Sequence, residues 1–209
     1  ELMIVIAIIA IIAAIAIPGL LNSQRASNER NASGSLKTIA TAQSDFRSND
    51  RDNNLVQDFW TADIAGLYCI DNTSVVAGGA ATPIKLIEVS IALADMAGVT
   101  QLGLNPNGGG GNNYGQPNTN FGTPSAKAGY WYMSLINYTD QALALVAYNQ
   151  NTGGAPEVKF NTSRFGACAM PESYGASGSK VFVINEGNTM FKRDFGADVV
   201  TAGAVPPGF

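Results

Sequence analysis

The pattern of apolar and polar residues divides the chain into three stretches. Positions 2 to 17 are apolar without a break, preceded by Glu1 and followed by Pro18, Gly19, Leu20 and Leu21. At about 1.5 Å per residue, a helix from Leu2 to Leu21 is roughly 30 Å long, close to the thickness of a bilayer core. It is apolar on every side, so it must be buried all round, in lipid or among copies of itself. From Asn22 to Ala32 the sequence turns polar. A helical stripe then returns at Leu36, Ile39, Ala40 and Phe46, with Lys37, Gln43 and Arg47 expected mostly off it. One long helix is predicted, with a protruding apolar half (1–21) and an amphipathic half (22–54) lying on a globular head. Pro18 lacks an amide donor and is expected to kink or locally open the helix, with Gly19 adding looseness. The helix is expected to end near Asp50, where Asn49 to Asn54 is turn sequence.

The head is expected to begin with a mixed region, 55–129. Thr82 and Pro83, followed by Ile84, Ile87, Ile91 and Ala94 and then Gly98, read as a short helix with Thr82 as its N-cap. Leu102 to Pro124, with glycine at 108 to 111, reads as a long surface loop. It has no Gly-Lys-Ser/Thr, which argues against a phosphate-binding loop. From Tyr130 the pattern is that of strands, over 130–193. Tyr130 to Ile136 is expected to turn at Asn137 to Asp140 and return through Gln141 to Tyr148. Shorter strands are expected at Val158 to Phe160, Arg164 to Ala169, Lys180 to Asn185 and Met190 to Arg193. Glu186, Gly187 and Asn188 form a hairpin turn. The tail, 194–209, reads as irregular. The fold class is α+β: one long helix followed by antiparallel strands.

Composition narrows the chemistry. The chain has 209 residues, a net charge of −4 and no histidine. Lacking histidine, it cannot build a Ser-His-Asp or Cys-His centre, and it lacks the commonest zinc and haem ligand. There is no Cys-x-x-Cys pair and no run of Lys and Arg that would make a dedicated nucleic-acid face. No catalytic constellation stands out, so a non-enzymatic role is expected. Asp50, Asp52, Asn54 and Asp58 alternate, with the Val56 carbonyl between the last two, in the ligand order of an EF-hand-like Ca²⁺ loop. Leu55 stands where that loop has its glycine and Thr61 where it has its final glutamate. These departures favour a solvated acidic turn over a calcium site. Two cysteines, Cys69 and Cys168, allow one disulfide, which in the chain-entropy model stabilises by roughly 4.7 kcal/mol for a loop of about 100 residues. The alternative is two separate buried thiols. Asn31, Asn72, Asn137 and Asn161 each open an Asn-x-Ser/Thr sequon, a pattern that chance produces often in so polar a chain.

The opening stretch, Glu1-Leu2-Met3-Ile4-Val5-Ile6-Ala7-Ile8-Ile9-Ala10-Ile11-Ile12-Ala13-Ala14-Ile15-Ala16-Ile17-Pro18, closely resembles the N-terminal helix of type IV pilins and type II secretion pseudopilins. It does not resemble a secretory signal, which has basic residues before its apolar run and a small-residue cleavage site after it. Nor has a plain anchor any use for an acid at its edge, since such a charge is costly in lipid unless paired. The resemblance covers about the first tenth of the chain.

It implies the pilin fold, with the second half of the helix packed on an antiparallel sheet. It also implies a leader removed by a prepilin peptidase, a mature N-terminus a few residues before Glu1, and residence in the inner membrane before assembly. The implied product is a homo-oligomeric helical filament on the cell surface, built by a dedicated assembly machinery. Leu2, Ile6, Ile9, Ala13, Ile17 and Pro18 would lie in the subunit bundle, and Glu1 would neutralise the terminal amine of a neighbour. Unwinding around Pro18 in assembled pili tends to involve an earlier glycine, where this chain has Ala10. A pseudopilin of a secretion machine is the alternative within the family, and a membrane-anchored binding domain the alternative outside it.

Overall fold

The computed structural model describes residues 2–51, 56–61, 63–68, 84–96, 123–140, 142, 144–148 and 160–199. A single helix, α1 (Leu2–Ser48), takes up nearly a quarter of the chain and runs through Pro18 without interruption. The local opening expected at Pro18 does not occur. The four residues before it are all apolar helix formers or β-branched, and the turn can lose one amide bond and still continue.

The end of α1 has a physical stop. Asp50 adopts a left-handed φ of 44°, and the Arg51 N–H donates to the Phe46 carbonyl at 3.2 Å. This backward bond satisfies a carbonyl that the finished helix leaves open. The Arg51 guanidinium then returns to Asp45, with Nε 2.9 Å from Oδ2.

A four-stranded antiparallel sheet forms the centre of the head. Its strands are β2 (Tyr130–Ser134), β6 (Gly166–Pro171), β7 (Lys180–Asn185) and β8 (Met190–Asp194), in the spatial order β2-β6-β7-β8. Two smaller pairs flank it: β1 (Phe59–Trp60) with β5 (Phe160–Asn161), and β3 (Asn137–Thr139) with β4 (Leu145–Ala147). A 3₁₀ turn, Ala65–Tyr68, and a short helix, α2 (Val89–Leu93), complete the described elements.

The sheet is covered on both faces, and strand alternation sorts its residues. Tyr130, Tyr132, Ala167, Ala169, Phe182 and Ile184 join Ala32, Leu36, Ile39, Ala40 and Phe46 of α1 in the main core. Alanine at 167 and 169 lets the helix approach β6 closely. The opposite residues, Met133, Cys168, Met170, Val181 and Val183, form a second cluster with Leu135 and Tyr148, against which Tyr138, Phe195 and Val199 pack. β6 is therefore buried at every position, and its sequence is continuously apolar rather than alternating.

Three readings of the sequence are corrected. Asn137 to Thr139 is a strand rather than a turn, because Tyr138 pairs with Val146 and rests against Tyr148 at 4.9 Å between ring centroids. The short helix expected from Pro83 is only α2, with Glu88 at its N-cap position. Thr82, Pro83 and Gly98 lie outside the described residues. Gln43, expected off the buried stripe, is fully buried within it.

Candidate assembly interface

The head grips α1 only from about residue 28 onward, and specific polar ties fix that grip. The Asn28 side chain donates to the Ser177 carbonyl at 2.9 Å. The Glu29 carboxylate accepts from the Ser179 N–H at 3.3 Å, from the Ser179 hydroxyl at 3.2 Å, and from Lys180 Nζ at 2.6 Å. Further along, the Gln43 amide clamps the backbone of Trp60. Its oxygen accepts from the Trp60 N–H at 3.0 Å, while its nitrogen donates to the Trp60 carbonyl. Gln43 thus serves strand β1 as a neighbouring strand would, and its burial leaves no orphan donor or acceptor on the amide. Position 43 lies four after Ile39 and seven after Leu36, so strict helical counting places it on the buried face.

Burial pushes the Glu29 carboxyl up, but the Lys180 and Ser179 hydrogen bonds outweigh it and hold the group below its ordinary 4.5. A carboxyl with a depressed folded value stabilises above its unfolded value and loses that contribution as pH falls through the folded one. Glu29→Gln is expected to lower stability by about 1–2 kcal/mol at neutral pH. The deficit should be full above the ordinary carboxyl value and should fade as the pH drops through the lowered folded value, where the wild-type carboxyl is itself protonated. Paired thermal melts from pH 7 to 3 check this; a pH-independent difference would contradict it.

Below the grip, the apolar half of α1 joins neither core cluster of the described residues. Thirteen large apolar side chains between Leu2 and Leu21 are exposed, among them Leu2, Ile6, Ile9 and Ile17. Ala13 is half-buried and Pro18 exposed. The most apolar 18-residue window of α1 has mean hydropathy 3.0 and is 0% buried, so the helix is long and apolar enough to cross a membrane. A surface of this size far exceeds the few hundred Å² that a folded monomer leaves exposed in one patch, so something must cover it. Glu1 lies outside the described residues.

The remaining candidate residues fall in the head. Of the five expected calcium ligands, Asp50 forms the stop of α1, Val56 is half-buried and Asp58 is buried just before β1. Asp52 and Asn54 lie outside the described residues. Among the described residues, no three acidic or thiol side chains gather as a metal site. Cys168 is a free, buried thiol in the second cluster. Cys69 itself lies outside the described residues. Burial pushes the Cys168 thiol up to about 12, with the Asp95 charge adding to it. The group stays protonated and inert at neutral pH. Native protein is expected to leave Cys168 unlabelled by a maleimide, and unfolding without reductant to label it fully. Labelling that needs reductant would contradict the free thiol.

Of the sequon asparagines, Asn161 is closed to a glycan. It is fully buried, its amide donates to the Tyr148 carbonyl at 2.8 Å, and its oxygen accepts from the Ser163 and Arg164 N–H groups at 2.8 Å each. Compared with known proteins, the chain matches no family model, no curated protein and no solved structure.

Proposed function

We propose that this chain is a structural subunit that polymerises into a surface filament of the type IV pilus kind. The observation that carries the reading is the division of α1. One half is bound to the head through the Leu36–Phe46 stripe and the Glu29 and Gln43 ties. The other half projects with apolar side chains on all sides. The likeness of residues 1–18 to pilin helices supports it. Before assembly the projecting half resides in the inner membrane, with the head on its outer side. In the filament the same helices pack together in a central bundle. Transfer from lipid to bundle exchanges one apolar environment for another, so close packing and polar pairing must favour the filament.

Glu1 supplies such a pairing by neutralising the amine of a neighbouring subunit, since an unpaired carboxylate in the bundle costs several kcal/mol. Glu1→Ala protein is expected to reach the membrane in normal amount and to assemble poorly. Normal filament yield from this variant would remove the register role.

The pseudopilin alternative uses the same geometry, and location separates the two. Filaments sheared from the surface of source cells and analysed by mass spectrometry should contain this chain as their principal component. Its absence from abundant surface filaments would overturn the surface-pilus reading.

A further inference from the structure

Arg25 is the first charged residue after the apolar run, separated from Leu21 by Asn22, Ser23 and Gln24. It is half-buried, and its Nε is shielded from solvent without a hydrogen-bond partner. A buried donor left in that state is costly. The acid one turn on, Glu29, is the partner that helical spacing offers. Its carboxylate is instead taken by Ser179 and Lys180. Asp194, which pairs with Lys180 across β7 and β8, accepts from the Tyr174 hydroxyl at 2.9 Å. Asp198 accepts from the Tyr174 N–H. Among the described residues Arg25 forms no ion pair.

We propose that Arg25 binds the phosphate of a membrane phospholipid on the head side of the bilayer. The inference rests on the membrane residence proposed above for the unassembled chain, and adds the lipid group that the base of the head meets. Depth is the argument for lipid. Arg25 lies four residues, about 6 Å, beyond Leu21 along the helix. The headgroup layer is roughly 5–7 Å deep on each side of the hydrocarbon core. A helix spanning the core with Leu2 to Leu21 therefore sets Arg25 at the level of the phosphates. Arg30 and Lys37, about 14 and 24 Å beyond Leu21, stand clear of them.

The position on the helix also fits. Arg25 precedes Asn28 and Glu29 by three and four residues, so it shares their face of α1, one turn nearer the membrane. That is the face tied to Ser177 and Ser179 of the head. A planar guanidinium can offer Nε and a terminal nitrogen to two oxygens of one phosphate, which would satisfy the orphan donor. The contact would fix the depth of the subunit in the membrane and would be given up when the helix leaves lipid for the bundle.

The test uses the full chain with isotope-labelled arginine, reconstituted in vesicles of phosphatidylethanolamine and phosphatidylglycerol in phosphate-free buffer. Solid-state NMR measures the coupling between guanidinium carbon and lipid phosphorus. A guanidinium within about 4–5 Å of phosphorus is expected, the separation that paired hydrogen bonds impose. Arg25→Gln is expected to abolish this coupling and Arg30→Gln to leave it unchanged. The thermal melt of the head should be the same in Arg25→Gln, since the Arg25 Nε makes no hydrogen bond within the protein. A coupling that survives Arg25→Gln, or none in a wild-type chain that resists alkaline extraction from the vesicles, would overturn the phosphate site and leave the membrane reading standing. A wild-type chain that alkali strips from the vesicles would overturn both.

Discussion

Ile9→Asp is expected to remove the chain from membrane and filament while leaving its head folded. Ile9 sits near the middle of the apolar run, is exposed, and belongs to neither core cluster of the described residues. Its only structural role is to be covered by lipid or by a neighbouring helix. An aspartate at the centre of a spanning helix costs about 2.5–3.5 kcal/mol on insertion scales, which corresponds to roughly 100-fold in partition. In a dry helix bundle the same charge has no partner and is destabilising in the same sense. Membrane fractionation and filament yield should both collapse, and the thermal transition of the head should stay where it was. Assembly at wild-type yield would mean that the apolar half is not the assembling element.

The second large effect lies in the head. Asp95→Ala is expected to lower stability by about 3 kcal/mol, or roughly 10 °C in Tm for a domain of this size. The Asp95 carboxylate is buried, and its Oδ2 accepts from the Ile64 and Ala65 N–H groups at 2.6 and 2.8 Å. These two donors open the 3₁₀ turn Ala65–Tyr68 and have no carbonyl of their own to bind. The same residue lies where the chain pairs with the edge of the main sheet. The Met96 N–H donates to the Tyr132 carbonyl at 2.9 Å, and the Tyr132 N–H donates to that of Ala94 at 2.8 Å. Removing the carboxylate strands two buried amides and loosens the cover of edge strand β2. Asp95→Asn keeps one acceptor and should cost less. A loss below about 1 kcal/mol for Asp95→Ala would show that the carboxylate does not hold this corner.

Some of this architecture was legible in the sequence because a single physical constraint decided it. The stripe Leu36, Ile39, Ala40 and Phe46 is buried as helical spacing demands, and Lys180–Asn185 and Met190–Asp194 pair around the expected turn. Elsewhere a long-range partner overrode the local signal. Asn137 and Asp140 favour a turn, yet cross-strand pairing with Leu145 to Ala147 makes 137–139 a strand. Gln43 is polar, which by itself argues for an outside position; its amide is buried because Trp60, 17 residues away, offers both a donor and an acceptor. Asp95 carried no local sign of its role, since its partners lie 30 and 31 residues earlier. The exposed apolar half of α1, by contrast, was almost entirely readable. A helix apolar on every side needs no tertiary information to be recognised as one that must be covered.

Cryo-electron microscopy of filaments sheared from the source cells tests the central claim most directly. A map whose side chains trace this sequence, with the Leu2–Leu21 helices bundled at the axis and the sheets facing outward, is the expected result. Filaments built from another chain, or from this one with its apolar half away from the axis, would contradict it.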